Sequence, residues 1–280
     1  MNVATASGSW LLPGLPGARV IRVESLPNRL AGGIRVGPGL EAMPGSILIS
    51  IQQIARYLCS NGVAIEVATM PRADPGAVET FLDGPARAAL IHQRGELPLL
   101  STTVISPQGE AVVLCGATGV GKSSVGAALS LRGWSLLAEG VTRIGLDAGQ
   151  VIAHPSHTAF KLWRDTCEWL GIDTAGFRQT RADFDKFYVP ATAVSHPVRV
   201  AAIVRLRPDP KVFGDEPDTS GRKLLESHSY KNELAVASGA GANQERVISA
   251  IVDQCQFLIV EGAHADPLPA VADKVAEAVA

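Results

Sequence analysis

The stretch Gly116-Ala117-Thr118-Gly119-Val120-Gly121-Lys122-Ser123 constrains this 280-residue chain more than any other. It satisfies G-x-x-x-x-G-K-S at every position. The apolar run Ala111–Cys115 enters it, and Ser123–Leu131 leaves it with helical character. A strand, a glycine-rich loop and a helix in that order make a phosphate cradle. The glycines let successive N–H groups turn toward one point, and the helix N-terminus adds partial positive charge. Lys122 is expected to reach the outer phosphates, and Ser123 to offer its hydroxyl to Mg²⁺. Ser124 belongs with the loop as a further contact. The motif therefore predicts ATP or GTP with Mg²⁺. The Asn-Lys-x-Asp segment that usually selects guanine is absent, so ATP is preferred. The loop alone does not separate a kinase from an ATPase, a GTPase or a regulatory binder.

Apolar residues make up 46% of the chain and charged residues 19%, as in ordinary globular proteins. A formal charge of -2 gives no bulk attraction to nucleic acid or to anionic membranes. There is no run of about 18 apolar residues and no signal-peptide pattern, so the expected location is the cytoplasm, away from the membrane. Cys59, Cys115, Cys167 and Cys255 form no close pair, which argues for buried reduced thiols and against a zinc site.

The spacing of apolar residues, glycines and prolines predicts the following order. Residues 1 to 18 read as a loose arm, and Arg19 to Ile49 as small strands joined by turns. Ile49 to Leu58 reads as a short helix or a strand, and Ala64 to Ala68 as a strand. Pro75 to Gln93 is helical, with Val78, Phe81, Leu82, Leu90 and Ile91 on its packed side. Ser101–Ile105 and Ala111–Cys115 form a hairpin. Trp134–Ala138 is a strand, Val141–Leu146 and Gln150–Ala153 another hairpin, and His157–Leu170 a helix. Val198–Arg205 and Phe257–Val260 are strands. Pro267–Ala280 is a closing helix with Leu268, Val271, Val275 and Val279 on one side. Pro208–Gly221 reads as a mobile loop.

The segment Leu97 to Trp163 resembles the C-terminal catalytic domain of the HPr serine kinase/phosphorylase family. It is closer still to the kinase-like relatives found beside biosynthetic genes for ribosomally made peptides. The resemblance rests on A-V-V-L-C-G-A-T-G-V-G-K-S-S-V-G-A-A-L-S-L over Ala111–Leu131, on Arg132-Gly133-Trp134-Ser135-Leu136-Leu137-Ala138, and on Lys161-Leu162-Trp163. It implies an α/β fold, a P-loop core of the HPr kinase/phosphoenolpyruvate carboxykinase-like type over 97–280, and a small N-terminal αβ lobe over 1–96. It also implies ATP and Mg²⁺ as the bound species, a serine hydroxyl of a small protein or peptide as acceptor, and a closed homo-oligomer as one available state.

Two departures qualify that expectation. The family usually carries Asp-Asp after L-x-A, where this chain has Glu139-Gly140. It also has a histidine before the hairpin, where Leu100 stands here; the nearest preceding histidine is His92. Glu139 keeps a carboxylate as metal ligand or base, and Lys122 and Glu139 are the expected catalytic pair. Glu261, ending another apolar strand, is a second metal-carboxylate candidate. Asp147 reads as a turn residue, and His154 and His157 as satisfied histidines. Lys161, Arg164, Arg181 and Lys186 are candidate phosphate cations, and Arg222 and Lys223 a solvated pair. Trp163 and Trp169 read as core or interface anchors. Non-catalytic nucleotide binding within a peptide-modifying system, or an ATPase/GTPase switch, remain the alternatives.

Overall fold

The structure, a computed structural model, describes residues 9–208, 220–263 and 266–280. The chain divides into two compact units, Met1–Pro98 with Tyr230–Arg246 and Leu99–Ser229 with Val247–Ala280.

In the first unit β1 (Ser9–Leu11), β2 (Arg19–Arg22), β3 (Ile34–Gly37), β4 (Leu40–Met43), β5 (Ser46–Ile51), β6 (Ala55–Ser60) and β7 (Ala64–Thr69) form a seven-stranded sheet in the order β1-β2-β7-β6-β5-β4-β3. The 49–58 segment is thus two strands, and its alternation shows why: Ala55, Tyr57 and Cys59 are buried while Arg56, Leu58 and Ser60 are half-buried. α1 (Pro75–Phe81) opens on Asp74, whose carboxylate accepts from the Ala77 N–H at 2.9 Å. A π-helical turn over Leu82–Ala86 contains Pro85, which cannot donate to the helix ladder, and α2 (Arg87–Gln93) follows. Leu82, Leu90 and Ile91 are buried as expected, with Val78 and Phe81 half-buried.

The described part of the expected loose arm is ordered by burial. Leu12, Leu15 and Ala18 are buried, and β1 pairs with β2. The buried Arg87 guanidinium donates to the Pro13 carbonyl and pairs with Asp83 at 3.1 Å. Residues 1–8 lie outside the described residues, as does the 209–219 part of the expected mobile loop.

Across the rest of the chain run β8 (Leu97–Ile105), β9 (Ala111–Cys115), β10 (Ser135–Asp147), β11 (Gln150–His154), β12 (Ala159–Trp163), β13 (Gln179–Arg181), β14 (Phe184–Pro190), β15 (Val198–Pro208) and β16 (Gln256–Ala263). The helices are α3 (Lys122–Ser130), α4 (Arg164–Trp169), α5 (Gly221–His228), α6 (Glu233–Ala237), α7 (Gly241–Gln254) and α8 (Leu268–Ala278). α6 lies in the first unit, and α7 contributes residues to both.

The second unit holds a six-stranded sheet, order β11-β10-β8-β9-β15-β16, in which β11 also pairs with β15. β9, β15 and β16 are parallel neighbours, while β8 and β9 form the expected antiparallel hairpin. A second sheet, β12-β14-β13, packs its inner side chains Phe160, Leu162, Phe187 and Val189 into the same core as α3 and α8. Leu268, Val271 and Val275 are buried, as their spacing on the closing helix predicted.

Two expectations are corrected. Residues 157–170 are a strand followed by a short helix, because Phe160 and Leu162 point inward while Ala159, Lys161 and Trp163 do not, a period of two satisfied by pairing with β14. The expected strands Trp134–Ala138 and Val141–Leu146 are not separate but merge into the one long strand β10, which begins at Ser135. Gly140, at φ 83, absorbs the irregularity inside it.

Arg132 and Gly133 have a structural role. Gly133, in the left-handed region at φ 85, turns the chain after α3 toward β10, and Arg132 pairs with Asp273 of α8 at 2.8 Å. Among the described residues no helix is long and apolar enough to cross a membrane.

Candidate phosphate-binding site

The loop lies between β9 and α3, on a strand with a neighbour on each side. Gly116 and Val120 are buried, and Ala117, Thr118 and Gly119 are exposed. Gly116 sits at φ +143, and a Cβ there would meet the Leu206 carbonyl oxygen at 2.7 Å and Val120 Cγ1 at 2.8 Å. The first glycine is therefore required twice, by conformation and by the approach of β15. Lys122 is folded back over the loop. Its ammonium donates to the carbonyls of Gly116 and Ala117, both at 2.9 Å.

Glu139 stands across from the loop on β10. Its side chain is 3% exposed, and both carboxylate oxygens are engaged. Ser123 donates its hydroxyl to Oε1 at 2.6 Å, and Thr102 of β8 donates to Oε2 at 2.9 Å. Thr102 was not singled out from the sequence. The run Ser101-Thr102-Thr103 within an apolar strand is the signal that could have found it. Ser101 and Thr103 turn to the opposite side of the strand, where both bond to Thr142 at 2.7 Å.

Burial pushes the Glu139 carboxyl above the usual carboxylate range. The Ser123 hydrogen bond, the Lys161 charge, the Thr102 hydrogen bond and the Lys186 charge pull the other way. Burial pulls the Lys122 ammonium down, Glu139 opposes that, and Lys186 adds repulsion. The charges of Lys122, Lys161 and Lys186 thus all act on one buried carboxylate, an excess of positive charge that suits a polyanion.

The other candidates separate clearly. Arg164 is held by Asp185 at 2.6 and 2.8 Å, and Arg181 by Asp183 at 3.0 and 2.8 Å. Ser124 bonds through its hydroxyl to Thr166 of α4 at 3.2 Å. Glu261 lies within β16 rather than at its end, two strands from β9, and its carboxylate lies 3.6 Å from Arg207. Asp147 closes the β10–β11 hairpin opposite Gln150, as a turn residue should. His154 is on β11, and His157 precedes β12. Arg222 donates to Ser249 at 3.0 Å. Trp163 and Trp169 are 46% and 75% exposed and so are not core residues.

Leu100 is a half-buried residue of β8, and Gly140 has open space where a side chain would project. His92 belongs to the first unit, fully buried, with Nε2 2.5 Å from the Tyr230 carbonyl and Nδ1 2.8 Å from the Gln244 amide. That network assigns the Nε2–H tautomer. All four cysteines are free and buried, and burial pushes the Cys115 thiol up to about 12.

The donor set also bears on the metal that the motif implies. Ser123 Oγ and Glu139 Oε1 are hard oxygens 2.6 Å apart, as neighbouring ligands of a small oxygen-seeking cation would be. Among the described residues no cluster of three His, Cys, Asp or Glu offers an all-protein metal cage. The residues fit an ion that takes only one or two protein ligands and fills its shell with water and phosphate oxygens, as Mg²⁺ does.

No protein-family model matches the chain, and no curated protein matches it. Among solved structures it is similar to the Hpr(Ser) kinase/phosphatase from Coxiella burnetii, at 17% identity over 43% of this chain and 69% of that one, with a TM-score of 0.29.

Proposed function

We propose that this chain binds ATP with Mg²⁺ at the loop Gly116–Ser123 and transfers the terminal phosphoryl group to a hydroxyl, a serine of a small protein or peptide. The observation that carries this reading is the buried Glu139, bonded by the loop's own Ser123 and faced by lysines. The loop N–H groups and Lys122 hold the phosphates once Lys122 leaves the Gly116 and Ala117 carbonyls. Ser123 and Glu139 are the residues that would hold Mg²⁺. Bound there, the ion neutralises charge on the phosphate oxygens. Lys161 and Lys186 supply further positive charge where the transferring group becomes most exposed.

In the transfer, a bond forms between the acceptor oxygen and the terminal phosphorus while the bond to the bridging oxygen breaks, leaving ADP. The hydroxyl proton departs as the new bond forms. Glu139 serves either as the ion's ligand or as the base that takes this proton, burial raising its proton affinity in the second role. A loose transition state asks mainly for positioning and charge, so a single carboxylate suffices where relatives have two.

The test is incubation with γ-labelled ATP, Mg²⁺ and serine-containing peptides. Label on a peptide hydroxyl with wild type, and none with Glu139→Gln, is the expected result. Tight ATP binding with neither transfer nor turnover would establish the binding-only alternative, which Gly140 and Leu100 favour.

A further inference from the structure

Thr102 is a polar residue in an apolar row. It shares its side of β8 with Val104 and, across the hairpin, stands opposite Leu114. Val104 and Leu114 belong to the apolar core that α3 also enters. Thr102 is 1% exposed, and its methyl group lies 2.9 Å from where a Cβ on Gly126 of α3 would stand. A valine would fill that place without burying a hydroxyl, which is costly unless it is bonded. The hydroxyl of Thr102 has its partner in Glu139 Oε2, at 2.9 Å.

A glutamate carboxylate sits at the end of several rotatable bonds, so burial alone does not aim it. Here the Glu139 N–H donates to Ser156 Oγ at 3.3 Å, and the carboxylate is held by two hydroxyls. Those two are not equivalent. Ser123 belongs to the loop, and its oxygen is the one Mg²⁺ would draw to itself, so its hold on Oε1 changes when the ion binds. Thr102 stands on β8, between β9 and β10, and its bond to Oε2 leaves Oε1 facing Ser123. We infer that Thr102 is a positioning residue, whose hydroxyl keeps the Glu139 carboxylate turned toward Ser123 so that the two oxygens can share one ion. The assignment rests on the reading of the loop as a Mg²⁺–nucleotide site and on nothing about the acceptor.

The same strand carries its own control. Ser101 and Thr103 also bury hydroxyls in β8, but both bond to Thr142 on the other side of the strand and neither touches Glu139. Thr102 and Thr103 are therefore alike in residue type, element and burial and differ in what they hold. If Thr102 only satisfied a buried polar group, losing either hydroxyl would cost stability and nothing else. If it aims a metal ligand, its loss also weakens the ion, as loss of the groups behind metal ligands generally does.

The full chain is titrated with a fluorescent, non-hydrolysable ATP analogue, first in EDTA and then at rising Mg²⁺, and melting of the nucleotide-free chain is followed in parallel. Thr102→Val keeps the shape and loses the hydroxyl. It should raise the Mg²⁺ concentration for half-maximal tightening about tenfold or more, while affinity in EDTA stays within about twofold of wild type. Thr102→Ser keeps the hydroxyl and loses the methyl. It should melt below wild type yet bring the Mg²⁺ requirement back to within about threefold of it. Thr103→Val should also melt lower but leave the Mg²⁺ requirement unchanged. A wild-type requirement in Thr102→Val, a requirement in Thr102→Ser as high as in Thr102→Val, or an equal rise in Thr103→Val would overturn the assignment. Where Thr102→Val does not fold, Thr102→Ala takes its place with the same expected and the same overturning result. A wild-type chain that binds no analogue, or binds it no tighter with Mg²⁺, would sink the reading of the loop and the assignment with it. The Thr102→Val shift in a chain that transfers no phosphate would support the assignment and sink the transfer reading instead.

Discussion

Ser123 and Glu139 occupy each other: the hydroxyl at the start of α3 donates to the buried carboxylate of β10 at 2.6 Å. A buried carboxylate without such partners would be costly, and Thr102 supplies the second donor. Glu139→Gln keeps the shape and both side-chain neighbours but removes the charge. It should lower phosphoryl transfer by about a hundredfold or more, while ATP affinity measured by calorimetry stays within about threefold of wild type. Transfer at the wild-type rate would remove Glu139 from the mechanism.

Gly116→Ala tests the loop without touching a charged group. The added methyl meets the Leu206 carbonyl oxygen at 2.7 Å on a backbone at φ +143. The substitution should cost about 1–3 kcal/mol of stability and abolish ATP binding, read by denaturant titration and by a fluorescent nucleotide. Gly126→Ala is not an adequate control, because that glycine is also closely packed. Gly109→Ala, with open space and φ +87, carries backbone strain alone and should leave ATP binding intact.

Gly140→Asp adds a second carboxylate next to Glu139. Nothing lies within 4 Å of a Cβ at this site, so the cost is conformational, from φ +83. Asp tolerates that region better than a branched residue, at about 1 kcal/mol. The variant should melt only slightly below wild type, clearly above Gly140→Val, and should transfer phosphate faster in the labelled-ATP assay.

His92 makes stability depend on pH. Burial lowers its pKa from 6.5 to about 4, so the unfolded chain binds the proton more readily than the folded one. The stabilisation is complete above about pH 6.5 and is lost as pH falls toward 4, up to about 3 kcal/mol in all. Urea unfolding at several pH values should show this slope. His92→Gln should flatten it while lowering stability at neutral pH.

The strand, loop and helix around Lys122 were legible because glycine spacing and apolar runs are local signals. The β8–β9 hairpin and the buried side of α8 were legible for the same reason. The 157–170 segment was misread because Phe160 and Leu162 alternate for only a few residues before Cys167 adds a helical spacing, and the partner that makes β12 a strand comes some twenty-five residues later. Ser123 and Glu139 could each be nominated from sequence, but their contact could not, nor could Thr102, whose role depends on β8 lying beside β10. Lys161 and Lys186 looked no different from Arg164 and Arg181 along the chain. Only the folded structure shows that the two arginines are taken up by aspartates.

Gly126 of α3 has no side chain, and a Cβ there would stand 3.0 Å from Phe160 Cε1 and 2.9 Å from Thr102 Cγ2. The helix that opens at Lys122 therefore rests directly on the strand whose other side carries Lys161 and Trp163. Closely packed interiors transmit displacement rather than absorb it. The contact between α3 and β12 has no slack, so a load placed on the helix is carried to the strand as movement of a single rigid piece.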